Sequence, residues 1–147
     1  MIELTNNLEY LVKQISEYIA QTSEEKITEK QSPEKWSKKE ILGHLIDSGI
    51  HNLQRFTEIQ FQTQPSRLKS YNQDELVKAN KYQETETYEI LILLKALNRR
   101  IIEVIIAQTE ATLDYKIITE NGTSFNFKYL IDDYISHFEH HLKQIKA

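Results

Sequence analysis

Over four long stretches of this chain the apolar residues recur at intervals of three and four, and no other feature constrains the fold as tightly. From Ile2 to Ile19 they fall at Leu4, Leu8, Leu11, Val12, Ile15, Tyr18 and Ile19, the spacing of one helical face. A second stripe, Ile41, Leu42, Leu45, Leu53, Phe56 and Ile59, belongs to a helix predicted from Ser37 to about Gln60. Its start is well marked. Ser37 can cap the free N–H groups, Glu40 can reach back to the cap, and Trp36 can staple onto Ile41. Pro65 bars continuation, because proline cannot donate to the helix ladder. The third and most apolar helix is expected from about Glu84 to Thr109, with Ile90, Leu91, Leu94, Leu97, Ile101, Val104 and Ile105 at helical spacing, and the last from about Phe127 to Ile145.

Between these helices the signals change character. Gln21 to Lys35 is polar, contains Pro33 and reads as a loop over one end of a bundle. Asn72 to Tyr82 suits a short connecting helix. Asn121-Gly122 favours the positive backbone angles of a tight turn, and β-forming residues at 115–119 and 123–125 flank it, so a small hairpin or extended loop is expected before the last helix. With only three Gly and two Pro there is little material for a many-turned β fold. Four amphipathic helices that cannot bury their stripes alone pack most simply as an all-α, up-down four-helix bundle, and residues 1–147 form one domain in this reading.

Composition excludes several classes of function. The formal charge is −4, with no long run of one sign, so the electrostatic footprint of a nucleic-acid binder is missing. There is no cysteine, which removes disulfides, thiolate metal sites and a cysteine nucleophile together. No stretch of about 18 apolar residues suggests a membrane span, and the N-terminus lacks a signal-peptide pattern. A cytoplasmic protein without nucleic-acid or membrane partners is expected.

All five histidines fall on two predicted helices: His44 and His51 on the second, His137, His140 and His141 on the last. At about 100° per residue, His141 lies inside its helix's apolar stripe, His137 on the shoulder, and His140 much further out. Residues four apart on one helix face can present two imidazoles to a single ion. His44, on the shoulder of the second stripe, can add a third nitrogen if the two helices are neighbours. Three neutral imidazoles would bind a divalent ion without cancelling its charge and leave a position open for water or substrate. Zinc suits three nitrogens in tetrahedral geometry, and nickel, iron and manganese also accept imidazole with extra waters, so the ligand set alone does not choose among them. Zinc or nickel is the first expectation, with iron or manganese as alternatives. Such an ion can polarise a substrate oxygen, activate water or hold a thiol as thiolate. Asp47 and Asp133, each about one turn from a histidine, can orient an imidazole. Ser48, Arg55 and His140 can line a pocket, Arg55 as an anion contact. Each of these polar residues taken alone is more often a solvated or hydrogen-bonded side chain than part of a site.

The segments Lys35-Trp36-Ser37-Lys38-Lys39-Glu40-Ile41-Leu42-Gly43-His44-Leu45-Ile46-Asp47 and Asp133-Tyr134-Ile135-Ser136-His137-Phe138-Glu139-His140-His141 resemble the two signature segments of the DinB-like family, in that order and with a similar spacing. The resemblance implies a four-helix bundle, often a homodimer, with a divalent ion held at the positions of His44, His137 and His141. Characterised relatives include thiol transferases and a mycothiol-dependent isomerase. A metal-dependent enzyme acting on a small molecule is therefore expected, a transferase of a low-molecular-weight thiol or a hydrolase. The competing expectations are a non-catalytic metal- or ligand-binding stress protein and a homodimeric interaction module.

Overall fold

The computed structural model describes all 147 residues. Helix α1 (Ile2–Ala20) is followed by a short α2 (Glu24–Thr28) and the long α3 (Lys38–Glu58). A strand β1 (Ser66–Leu68), a helix α4 (Gln73–Asn80) and a 3₁₀ turn at Tyr82–Glu84 lead to α5 (Thr87–Ile106). A turn of helix α6 (Glu110–Leu113), the hairpin strands β2 (Lys116–Thr119) and β3 (Ser124–Asn126), and α7 (Phe127–Lys146) complete the chain. The four expected long helices are α1, α3, α5 and α7, and together they form a four-helix bundle. None is long and apolar enough to cross a membrane.

Local chemistry accounts for where the helices begin. At α3 the capping box is complete: Ser37 Oγ accepts from the Glu40 amide at 3.1 Å, and the Glu40 carboxylate accepts from the Ser37 amide at 3.1 Å. At α4 and α7 the side chains of Asn72 and Asn126 act as simple N-caps, accepting from the amides of Glu75 and Tyr129. The Trp36 ring also packs on His44, with centroids 4.8 Å apart, a contact beyond the staple expected of it.

Helices α1 and α3 each pack against both α5 and α7, so the two pairs interleave around one apolar core. Lys38 at the start of α3 reaches the Ile145 carbonyl at the end of α7, while Phe56 near the end of α3 meets Phe127 at the start of α7, so these helices are antiparallel. By contrast, Lys39 donates to the Thr85 carbonyl just before α5, and Gly49 meets Leu97 further along, so α3 and α5 run the same way. The directions therefore do not simply alternate along the chain. The long connection from 59 to 86 returns the chain to its starting end before α5 begins.

That connection also supplies a strand that the sequence reading lacks. β1 pairs in parallel with β2, Ser66 opposite Ile117 and Leu68 opposite Thr119, and β2 pairs with β3 through the expected hairpin, where Gly122 has φ +87°. β1 is three residues long and its partner lies about fifty positions away. Neither fact leaves a period-two signature.

The crossover is clamped to α3 at Gly43. A Cβ there would lie 2.0 Å from a Tyr82 ring carbon, and the Tyr82 hydroxyl donates to Asp47 Oδ1 at 2.6 Å, one turn further along. Gly43→Ala would improve intrinsic helix propensity by about 1 kcal/mol. The clash is close to the root of a buried ring and cannot be relieved by rotation, so overpacking of about 1–3 kcal/mol should dominate. Urea denaturation of Gly43→Ala is expected to show a net loss of stability; unchanged or increased stability would refute this account of the clamp.

Candidate metal centre

Because α3 and α7 are antiparallel neighbours, His44 in the first third of α3 faces the C-terminal half of α7. The i,i+4 pair His137 and His141 projects from α7 onto the same point. His137 Nε2 lies 3.0 Å from His44 Nε2 and 3.0 Å from His141 Nε2, and one ligand atom from each residue falls within 4.8 Å of the others. His44 and His141 are buried and His137 is half-buried. The rings meet edge to face, with centroids 4.4 to 4.9 Å apart.

Three ring nitrogens pointed at one another form an unusual hydrogen-bonding arrangement. A neutral imidazole nitrogen offers either one N–H or one lone pair, so three cannot all pair mutually. Three lone pairs converging on one ion at about 2.0–2.1 Å would satisfy them all. Gln144 favours that state. Its Oε1 lies 2.8 Å from His141 Nδ1, which must then carry the proton, leaving the Nε2 lone pair facing the cluster. Burial, followed by the neighbouring imidazoles of His141 and His137, pulls His44 down to about 3. His137 is held at about 4 by burial, His141 and His140, and His141 is lowered mainly by burial. All three are therefore neutral near pH 7, as ligands must be.

The other residues picked from the sequence separate into two groups. Ser48, Arg55 and Asp133 line a cavity of about 350 Å³ that has His137 in its wall, along with Asn52, Tyr71 and Tyr134. Ser48 is buried, and its carbonyl accepts from Asn52 Nδ2 at 2.8 Å. Asp47 faces away from this cavity. Its Oδ1 accepts from Tyr82 and from Asn80 Nδ2 at 2.8 Å, its Oδ2 is buried without a partner, and burial raises its pKa despite those bonds. His51 donates from Nδ1 to the Asp47 carbonyl and stacks on Tyr71 at 4.2 Å, while His140 is exposed beside His141. The sequence reading missed two neighbours of the cluster. Gln144 sits three residues after His141, a spacing that could have drawn attention to it, and Trp36 covers His44 from outside the helix.

These features define a four-helix-bundle protein with a buried three-histidine cluster at the junction of two antiparallel helices. The chain belongs to the DinB superfamily, whose family model matches residues 7–145. Its fold is similar to that of YfiT from Bacillus subtilis, described as a probable metal-dependent hydrolase with an unusual four-helix bundle topology. That match has TM-score 0.88 and 15% identity over 98% of this chain and 82% of that one. It is also similar to a mycothiol-dependent maleylpyruvate isomerase (TM-score 0.73, 12% identity), covering 99% of this chain but 60% of the isomerase. A DinB-like protein of Bacillus subtilis matches with TM-score 0.58 and 19% identity over 96% of this chain and 80% of that one. No curated protein matches.

The depressed histidines carry a consequence for stability. In the unfolded chain each has a pKa near 6.5, so below that pH the unfolded state binds protons that the folded state refuses. Metal-free protein should therefore lose stability as the pH falls from about 6.5 toward 4. His44→Gln should show a shallower dependence in that window, measured by denaturant unfolding at a series of pH values. Parallel curves for the two proteins would contradict the burial of a neutral His44.

Proposed function

We propose that His44, His137 and His141 together bind one divalent transition-metal ion, zinc or nickel in the first instance, and that the protein is a metal-dependent enzyme acting on a small molecule. The convergence of the three Nε2 atoms, with the tautomer of His141 set by Gln144, carries this reading. When bound, the ion supplies Lewis acidity toward a substrate thiol, carbonyl oxygen or water. The description of YfiT as a probable metal-dependent hydrolase and the mycothiol dependence of the isomerase favour a reaction of that kind. Transfer of a low-molecular-weight thiol to an electrophile is the form we favour.

The chain's own residues would handle binding and the proton. The cavity beside His137 contains a single carboxylate, Asp133, one turn before His137 on α7. Asp133 is exposed and unpaired with any cation, and in this reading its carboxylate oxygen accepts the proton that a thiol or water loses on activation. Phe125, Leu130 and Tyr134 form apolar walls that limit water near the reacting atoms. Ser48 and Asn52 supply polar groups on the opposite wall for orienting a substrate.

Elemental analysis of untagged protein should find about one transition-metal ion per chain in the wild type and essentially none in His137→Ala or His141→Ala. Trp36, the only tryptophan, gives a second readout, since its emission should change when metal is added to stripped wild-type protein and not to His137→Ala. A folded wild type that neither contains nor takes up metal would overturn the proposal. In a screen of thiols against activated electrophiles, Asp133→Asn should keep its metal and lose about 10²–10⁴-fold in kcat. Full turnover by that variant would remove Asp133 from the role of base, and turnover by metal-free wild type would remove the ion from the reaction.

A further inference from the structure

A second cavity, of about 430 Å³, adjoins the first and shares Arg55, Leu68 and Leu130 with it. Its charged lining is mostly cationic, in a chain whose net charge is −4: Arg55, Arg67 and Lys69, with His51 beside them and Glu58 as the one carboxylate. Arg55 is the half-buried member. Its guanidinium donates to the Lys69 carbonyl and lies over the Tyr71 ring, 5.2 Å from the centroid, yet no carboxylate comes within ion-pair distance. Glu58 is the natural candidate at i+3, but it is already engaged by Gln54 Nε2 at 2.9 Å and by Gln62 Nε2 at 3.3 Å. Arg67, from β1, is exposed and has no ion pair either. In the same wall the buried Ser66 has a hydroxyl with no hydrogen-bond partner. A partly desolvated guanidinium, a second cation and an unpartnered hydroxyl around one concavity make a poor resting arrangement for an apolar or cationic ligand and a good one for an anion.

We propose that this cavity is an anion-recognition subsite, centred on Arg55 and completed by Arg67 and Ser66, which binds a carboxylate or phosphate group of the substrate. Arg55 stands where the two cavities meet. The anionic end of an elongated small molecule is held between α3 and β1 while its reactive end extends past Ser48 and Asn52 to the wall containing His137. The proposal rests on the preceding one for the placement of the reactive end, whereas anion binding by Arg55 stands independently of the metal.

The test is calorimetric titration of the purified protein with succinate and with inorganic phosphate, using neutral succinamide as the control. At least one of the two anions is expected to bind, succinamide is not, and the preferred anion distinguishes a carboxylate from a phosphate subsite. Arg55→Gln should weaken binding about tenfold or more, the scale of a lost charge-assisted hydrogen bond. Arg67→Gln, on an exposed strand, should weaken it roughly threefold, and Glu58→Gln should tighten it by a similar factor, a gain that misfolding cannot imitate. His137→Ala should bind the anion as wild type does. Loss of binding in His137→Ala with no effect of Arg55→Gln would show that the anion sits on the metal, and would overturn the subsite while leaving the metal reading intact. Absence of anion binding by wild type, or equal affinities for wild type, Arg55→Gln and Glu58→Gln, would also overturn it. Anion binding that follows Arg55 in a protein that takes up no metal would uphold the subsite and remove the metal reading alone.

Discussion

The packing of α3 against α7 is the interaction on which the chemistry of this molecule depends. Each helix could bury its apolar stripe against several partners, but only this antiparallel contact sets His44 opposite the His137 and His141 pair. The register is fixed at both ends, by Lys38 on the terminal carbonyls of α7 and by Phe56 against Phe127 and Tyr134. A shift of one helical turn, about 5.4 Å, is close to the spacing between His137 and His141 and would leave His44 facing at most one of them, so the three nitrogens would no longer meet at one point. Burial keeps the three imidazoles neutral, and the aligned helices keep their nitrogens at one point. An arrangement that is awkward as a hydrogen-bonding network is thereby ready to receive a cation without prior deprotonation.

Holding α3 in that register requires support from its other face. Gly43 and Asp47 lie on the side turned toward Tyr82 and Asn80, where the chain returns from the sheet to α5. Their bonds link the α3 turn bearing His44 to the crossover, and Lys39 adds a contact to Glu24 on α2 and to the Thr85 carbonyl. Asp47 therefore acts on the architecture around the cluster and makes no hydrogen bond to an imidazole in it. The buried Asp47 Oδ2 without a partner is the unsatisfied element of this clamp, in keeping with the upward displacement of its pKa.

How much of this was legible in the sequence follows from the range of the interactions involved. The four long helices, the capping box at Ser37 and the Asn121-Gly122 turn are governed by contacts within a few residues, and they stand where periodicity and turn chemistry put them. The wheel positions of His137, His140 and His141 likewise separate the two facing rings from the exposed one. What was not legible depends on pairing across long separations. β1 needs β2 about fifty residues away, the parallel course of α3 and α5 follows from where the crossover lands, and the partner of Asp47 is set by Tyr82. Trp36 illustrates both sides: its place ahead of the helix was clear, but its ring packs on His44, which no local rule specifies.

The division of labour between elements bears on what kind of catalyst such a bundle can be. The histidines stand on two long helices of the bundle, His44 and His141 buried and His137 half-buried, where a change in one side chain disturbs both packing and the cluster. The cationic groups and the hydroxyl of the adjoining cavity come largely from β1 and the turn after it, at residues 66–71, which rest on the bundle without forming its core. Connections of this kind tolerate substitution more readily than helices do. If the proposed function holds, recognition of a substrate's distal group could change while the histidine cluster stays fixed, with Arg55 as the point of contact between the two because it lies on α3 and lines both cavities. On this view the reaction class is a property of the α3–α7 seam, and the identity of the substrate is a property of the crossover laid across it.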